Sequence, residues 1–334
     1  MPDVVAVALV CLASAIQTAP GPLLTADLHS AVDRGLRFLV ENQNRDGSFG
    51  VDDKDRDTHI GVTALTGIAF LAGGYTPGGG PFGAESRRTV EAVRGSLDPR
   101  SGLIATERTL SQPMYSHAFG TLYLAEAYGM TGDEDLGPPL RRAVDLIVSS
   151  QNREGGWRYY PGSKDADLSV TACQITALRA ARNAGIAVPI DTIERAASYV
   201  LRCANEDGSF RYQADRGHAS FHLTVAALTA LYGLGLGERP EIDAAFAYMR
   251  PYFPAGPKRL SGHFFYGQYY AIQAAYQRGG ETFAPWYVRV RDRLITTQRD
   301  DGAFDEPAVG DLYGTAMALI VLQIPYHFLP ILTR

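Results

Sequence analysis

Apolar residues along the chain fall into two alternating patterns, both with helical spacing. In "LHSAVDRGLRFLVENQN", Leu28, Val32, Leu36 and Leu39 recur three and four residues apart, while Asp33, Arg34 and Arg37 lie off that stripe. This is the signature of a helix with one face in a core. The same one-sided pattern returns in "LRRAVDLIVSSQN", "DTIERAASYVLRCAN" and "PWYVRVRDRLITTQR". Between these stand segments apolar on nearly every side: "HIGVTALTGIAFLAG", "HAFGTLYLAEAYGM", "LSVTACQITALRAA", "HLTVAALTALYGLG", "YGQYYAIQAAY" and "LYGTAMALIVLQI". A helix that is apolar all round must be enclosed by protein. Two concentric rings satisfy both patterns, with amphipathic helices outside and apolar helices inside. Six such hairpins predict an all-α (α/α)6 toroid.

The polar stretches joining the two helix types also repeat. "QNRDGSF" begins at Gln43, "QNREGGW" at Gln151, "ANEDGSF" at Ala204 and "QRDDGAF" at Gln298. Each ends in a glycine and then an aromatic at fixed offset: Phe49, Trp157, Phe210 and Phe304. The first and last intervals are about twice the middle one, so two degenerate copies are expected, at "LDPRSGL" (Leu97 to Leu103) and near "FPAGPKRLSG" (Phe253 to Gly262). A period of roughly fifty residues marks a repeat architecture. The glycine is expected at the helix end, in the left-handed conformation that stops a helix, the acidic residue in a turn, and the aromatic wedged between outer helices.

Gln-x-x-x-Gly-x-Trp/Phe between alternating helices resembles the repeat of the terpenoid cyclases and protein prenyltransferases, which share an α/α toroid. The resemblance spans roughly Leu28 to Leu322. It implies two chemistries that can be compared residue by residue. The prenyltransferases bind zinc through an Asp-x-Cys pair in the fifth unit and a His in an Asp-x-Tyr-His-Thr pattern in the sixth. Here the sixth unit reads "DLYGTAMAL", with Gly314 in place of that His, and the fifth reads "LSGHFFYGQ". Without ligands there is no zinc chemistry. Class II terpenoid cyclases protonate an alkene with the middle Asp of Asp-x-Asp-Asp followed by Thr-Ala. Here "DADLSVTA" matches Asp165 and Asp167 to the first two acids, with Leu168 in place of the last and Thr171-Ala172 two residues farther on than in the family.

The starts of the six inner helices carry candidate chemistry. Aligned on a residue followed four positions later by Thr or a substitute, the leading residues are His59, His117, Asp167, His222, Tyr266 and Asp311. The trailing ones are Thr63, Thr121, Thr171, Ala226, Tyr270 and Thr315. Residues at i and i+4 share a helix face, so the leading set is expected to ring one end of a central cavity and the trailing set to lie one turn deeper. Asp57, Tyr115, Asp165, His218, His263 and Tyr313 flank the ring. His and Asp are side chains whose pKa can be tuned for proton transfer; Asp and Thr near helix starts are also ordinary caps. Of the His pairs only His218 and His222 have helical ligand spacing, and no metal and no cofactor is expected. "DDKDRDT" (Asp52 to Thr58) has Thr58 where a calcium loop needs Gly, and reads as a solvated loop.

Composition sets the outer limits. The 334 residues are 46% hydrophobic and 20% charged, with a formal net charge of −5, as in soluble globular proteins. No basic tract is present, which argues against a nucleic-acid partner. The apolar run Val4 to Ile16, too short to span a bilayer, and Ala13-Ser14-Ala15 look like an export signal, although the start holds Asp3 and no Lys or Arg. The expectation is a leader over 1–25, one toroid domain over 26–334, and an exported or periplasmic protein. Cys173 and Cys203 form no disulfide framework and read as two small buried hydrophobes, with a single bridge between them left open by the sequence.

Three readings remain. The first is a small-molecule protein handling an isoprenoid, with Asp167 as proton donor and Asp165 or a ring His such as His222 setting its protonation. Aromatic faces for cations would come from Tyr115, Phe119, Phe221, Phe265, Tyr266, Tyr269, Tyr270 and Tyr313. The second is a carbohydrate-active (α/α)6 enzyme using Asp165, Asp167 and Asp311 as acid and base. The third is a non-catalytic binding or assembly module. The sequence names no partner subunit.

Overall fold

The computed structural model describes residues 23–54, 57–252 and 263–332. The predicted leader and the fifth repeat loop therefore lie outside the described residues, apart from positions 23–25. Twelve α-helices are described: α1 (Ala26–Glu41), α2 (Ile60–Ala72), α3 (Gly83–Gly95), α4 (Pro113–Thr131), α5 (Gly137–Ser150), α6 (Leu168–Asn183), α7 (Ile190–Arg202), α8 (Phe221–Gly233), α9 (Pro240–Met249), α10 (Phe264–Arg278), α11 (Gly280–Thr297) and α12 (Asp311–Gln323). The even-numbered helices pack each on the next, and α12 returns to α2, so the inner ring is closed. The odd-numbered helices lie outside it; α3, α5, α7 and α11 each touch two inner helices, and α1 closes the outer ring against α11, α12 and α2. The (α/α)6 toroid expected from the hydrophobic pattern is the fold.

Burial follows the two patterns. Every residue of α2 is buried, whereas α1 buries Leu28, Ala31, Val32, Gly35, Leu36, Phe38 and Leu39 and leaves Asp33 and Arg37 exposed. The loops between the rings are held from both sides. Gln43 Nε2 donates to the Gly47 carbonyl of its own loop at 3.2 Å and to Glu85 O of the next outer helix at 3.0 Å. Gln151 repeats this with Gly155 O and Thr192 O, and Gln298 with Gly302 O and Ala31 O, the last bond tying the sixth unit to the first. The aromatic is fully buried; Trp157 packs on α5, where its indole N–H donates to Ile147 O at 2.7 Å.

The repeat glycine is not where it was expected. Helix α1 is capped by Asn42, and Gly47 sits beyond it in a turn, donating its N–H to Asn44 O, with φ +85°. A Cβ there would collide with the Arg88 carbonyl of the next outer helix. Gly155 stands the same way against Arg195 and Gly302 against Arg34. The glycine is required because the loop turns left-handed while pressed against a neighbouring helix backbone.

The ends of the barrel differ. The N-terminal ends of the inner helices surround a cavity, described below. At the opposite end the C-terminal segment folds across α4, α6 and α10, with Leu329, Ile331 and Leu332 buried and the Ile331 amide donating to Glu126 Oε2 at 3.1 Å. A short antiparallel pair, β1 (Arg211–Gln213) and β2 (Arg216–Ala219), stands at the open end before α8. Cys173 and Cys203 are buried free thiols.

Candidate functional site

The trailing threonines have a task that the sequence reading did not assign. Thr63 Oγ1 accepts the Phe49 amide, Thr171 Oγ1 the Trp157 amide, Thr224 Oγ1 the Phe210 amide and Thr315 Oγ1 the Phe304 amide, each at 3.0 Å. These hydroxyls latch each repeat loop to its inner helix; they do not line a cavity. In the second unit the latch is His117. Its Nδ1 accepts the Ile104 amide at 3.1 Å and its Nε2–H meets the Ala143 carbonyl at 3.1 Å. Both ring nitrogens are thereby fixed in the neutral form, and complete burial pushes the imidazole pKa down to about 4.

This corrects the alignment of the ring. The latch is Thr224, not Ala226, and His117 belongs with the latches, not with the leading residues. Thr121 only returns its hydroxyl to His117 O within its own helix. The positions two residues before the latches are Gly61, Tyr115, Ser169, His222 and Tyr313, and Tyr266 occupies the same place on α10. All six line one cavity of about 810 Å³. Apart from Gly61, each is only partly buried among fully buried neighbours, as an inward-facing position over open space should be.

Most of the other expected site residues do not reach the cavity. Asp311 accepts the Glu306 amide and is ion-paired with Arg299, which also binds Asp301 and Asp305. Asp165 is paired with Arg158, lies 3.9 Å from Arg216, and receives Gln213 Nε2 at 3.4 Å. Asp57 is exposed and does not line the cavity. Tyr270 is fully buried beneath the floor, its hydroxyl 3.1 Å from Cys173 Sγ and its ring against Tyr266 and Tyr269. His59 caps α2 by accepting the Val62 amide, and also lines the cavity. His218, on β2, and His263 line its mouth, where His263 meets the His222 ring edge-on at 6.1 Å between centroids. The i,i+4 spacing of His218 and His222 crosses from strand to helix, so the two do not share a helix face. Among the described residues no His, Cys, Asp and Glu converge in a set able to hold a metal.

Asp167 stands behind the wall. It caps α6, with Oδ1 accepting the Val170 amide at 2.9 Å, and its side chain is fully buried. Oδ2 has no hydrogen-bond partner. A helix N-terminus favours the ionised carboxylate, and the Val170 amide, Ser169 and Arg158 pull the same way; desolvation outweighs them and raises the pKa to about 6. Aligned through the latch, Asp-x-Asp-Asp-Thr-Ala maps onto Asp167, Leu168, Ser169, Val170, Thr171 and Ala172. Asp167 thus takes the place of the first acid, and the position of the middle Asp holds Ser169.

Several lining residues were not anticipated: Ser169, Gln112, Tyr212 on β1, Tyr248 on α9 and Tyr252 in the turn that follows it. Tyr212 stacks on His218 at 6.0 Å, and the Arg158 guanidinium lies over the Tyr159 and Tyr212 rings. Tyr248 and Tyr252 are one helical turn apart in sequence, the one signal that could have paired them. The Tyr266 hydroxyl is buried without a hydrogen-bond partner.

No family model matches the chain. Over 169 residues it is 28% identical to drimenyl diphosphate synthase of Streptantibioticus cattleyicolor, an alignment covering 49% of this chain and 30% of that protein. The chain therefore spans less than a third of that curated relative. Among solved structures, the type II terpene cyclase MstE from Scytonema, as a variant in complex with geranylgeranyl dihydroxybenzoate, superposes with a TM-score of 0.64 at 15% identity, covering 92% of this chain and 99% of that one. An α-1,6-mannanase of Salegentibacter sp. HEL1_6 in complex with α-1,6-mannotriose superposes with a TM-score of 0.65 at 12% identity, covering 89% and 98%. Both likenesses are of fold: the chain has the α/α toroid that terpenoid cyclases carry.

Proposed function

We propose that the protein binds an isoprenoid in its central cavity and that Asp167 is the source of the proton for its cyclisation. The observation that carries the binding half is the make-up of the inner ring. Tyr115, Tyr266 and Tyr313 supply π-faces, Leu65 and Phe119 lie one turn deeper, and no Asp, Glu, Lys or Arg is among the described lining residues. An apolar, branched, polyunsaturated chain is the ligand class that such a wall suits. A volume of about 810 Å³ lies within the range of small-molecule sites. The likeness to drimenyl diphosphate synthase and to MstE supports the same reading.

The carbohydrate alternative draws support from the mannanase likeness but lacks its chemistry here. Glycoside hydrolysis uses two carboxyl groups flanking the bond. Asp165 and Asp311 are held by arginines, and neither they nor Asp167 lines the cavity. The non-catalytic alternative is favoured by one observation, the serine at the motif's middle position.

Mass spectrometry of ligand co-purifying with the full chain, with calorimetric titration of geranylgeraniol and of mannotriose, tests the reading. The expected result is a bound lipid and saturable geranylgeraniol binding. Mannotriose binding without geranylgeraniol binding would replace the isoprenoid by a sugar.

A further inference from the structure

One side of the cavity mouth is built of imidazole. His222 stands in the first turn of α8, His218 on β2, and His263 immediately before α10, and all three line the cavity. The His222 and His263 rings meet edge-on with centroids 6.1 Å apart, and His218 stacks on Tyr212 at 6.0 Å. His222 is half-buried; His218 and His263 are exposed at the rim. Two backbone features hold this arrangement, and each is unfavourable by itself. Gly267 lies inside α10, where glycine weakens a helix. A Cβ there would come within 2.9 Å of His222 Cδ2 and 3.3 Å of its Nε2, so the glycine is the slot that admits the ring. His263 has φ +47°, in the left-handed region that few side chains adopt. Strain of that kind gathers at ligand clamps.

We propose that His218, His222 and His263 form a head-group subsite that takes one carboxylate at the polar end of the ligand, with its chain running inward to Leu65 and Phe119. It rests on the isoprenoid reading of the same cavity and adds the chemical class of the ligand's end. Imidazole is the side chain that takes up a proton near neutral pH when an anion lies beside it. Its ring N–H groups also donate to oxygen. No Asp or Glu is among the described lining residues to claim those donors. A diphosphate is matched by the fixed charges of Arg and Lys, which are likewise absent from the described lining residues. A neutral alcohol leaves the rings without a counter-charge. A carboxylate carries one charge, and its two oxygens can serve two rings at once.

The groups around the rim leave that charge unopposed. The other titratable side chains of the described wall are His59 of α2, Tyr115 of α4, Tyr212 of β1, Tyr248 of α9, Tyr252 after it, Tyr266 of α10 and Tyr313 of α12. Burial raises the phenols of Tyr115, Tyr212, Tyr248, Tyr266 and Tyr313, which keeps them uncharged. The nearby charges are turned elsewhere. Arg158, over the Tyr212 ring, is held by Asp165. Arg216 lies 3.9 Å from Asp165 and donates to Gln213, and Arg211 donates to Asn205. Asp215, at the hairpin tip, does not line the cavity. The sign of the pH dependence follows. A protonated imidazole strengthens the carboxylate, so affinity is greatest below about pH 6.5 and falls as pH rises. The ligand's own carboxyl stays ionised above about pH 5.

The test is calorimetric titration of the full chain with three probes of one chain length: geranylgeraniol, geranylgeranoic acid and geranylgeranyl diphosphate. At about pH 6 the acid should bind about tenfold tighter than the alcohol, and by about pH 8 most of that advantage should be gone. His218→Gln, His222→Gln and His263→Gln combined should bring the acid-to-alcohol ratio to within about twofold of one and remove its pH slope. Gly267→Ala pushes the His222 ring from its slot without altering any histidine, and should lower the same ratio about threefold or more; circular dichroism checks that each variant is folded. Equal affinity for acid and alcohol at about pH 6, or a ratio that the triple variant leaves intact, overturns the subsite while alcohol binding upholds the isoprenoid reading. Diphosphate binding tighter than the acid overturns the single charge. Binding of none of the three overturns the isoprenoid reading and the head group with it.

Discussion

If the threonines two positions beyond the cavity ring are loop latches, Thr171→Val should destabilise the protein without touching the ligand. Valine keeps the shape of threonine and removes the acceptor, so the Trp157 amide, bonded at 3.0 Å and buried, is left without a partner. An unsatisfied buried amide costs about 1–3 kcal/mol. The added apolar methyl offsets part of this, roughly 1 kcal/mol, so a net loss of about 1–2 kcal/mol is expected. For a chain of 334 residues that lowers Tm by about 1–2 °C per kcal/mol. Thr121→Val is the matched control: it removes a hydroxyl that bonds only to the carbonyl one turn back in its own helix, and should cost less than about 0.5 kcal/mol. Thr63 on α2 and Thr224 on α8 lie across the ring from each other and share no partner, so their double valine variant should show the sum of the single losses. Urea unfolding followed by circular dichroism, with an unchanged slope against denaturant, gives each value. Equal losses for Thr171→Val and Thr121→Val would refute the latch and the alignment built on it.

Three other outcomes follow from buried titrating groups. His117 has a pKa of about 4 in the fold against an ordinary 6.5, so its contribution to stability is present above pH 6.5 and is lost as pH falls towards 4; His117→Thr should flatten Tm against pH across that window. Glu126 is raised to about 8 by burial, against the pull of the Ile331 amide and Arg179; its contribution is present below pH 4.5 and lost as pH rises through 8. Glu126→Gln keeps the acceptor for Ile331 and should raise Tm most at pH 8, and an unchanged Tm there would count against a buried acid under the C-terminal segment. Asp165→Asn leaves Arg158 without its carboxylate partner and strengthens its pull on Asp167; the Asp167 carboxyl should then titrate below its value of about 6, as NMR of the full chain labelled with ¹³C at the Asp carboxyls would show.

The two rings were legible because burial demands them: α2 has no exposed residue, and its sequence has almost no polar one. The loops were legible because four copies of one pattern outweigh any single motif. The ring was misread by two residues on four helices: His59, Asp167 and Asp311 stand two positions before Gly61, Ser169 and Tyr313, and His117 two beyond Tyr115, whereas His222 and Tyr266 are ring residues themselves. From sequence, a residue followed four positions later by Thr is compatible with a cap and a cavity position alike; only the bond from Thr171 to Trp157, fourteen residues back, tells which face of the helix points inward. His117 was misread for a related reason. Histidine at a helix start reads as chemistry, and its use as a neutral acceptor for Ile104 in place of a threonine has no sequence mark. Asp165 and Asp311 read as acids in want of a role, and their arginine partners, Arg158 and Arg299, lie seven and twelve residues away on loops whose shape the pattern did not give. Tyr212 entered the site on a hairpin that was not foreseen at all.

The repeats within this single chain separate what holds the fold from what does chemistry. At the latch, Thr recurs at four positions and His at one, because each must accept one amide in a dry, fixed geometry. Two residues earlier the chain uses Gly61, Tyr115, Ser169, His222, Tyr266 and Tyr313. No shared hydrogen bond constrains those positions, and their diversity is what a cavity wall shaped around one ligand requires. The same separation leaves the position held by Ser169 without a duty in the latch. Asp167, by contrast, caps α6, a structural duty that any chemistry at the cavity wall leaves untouched.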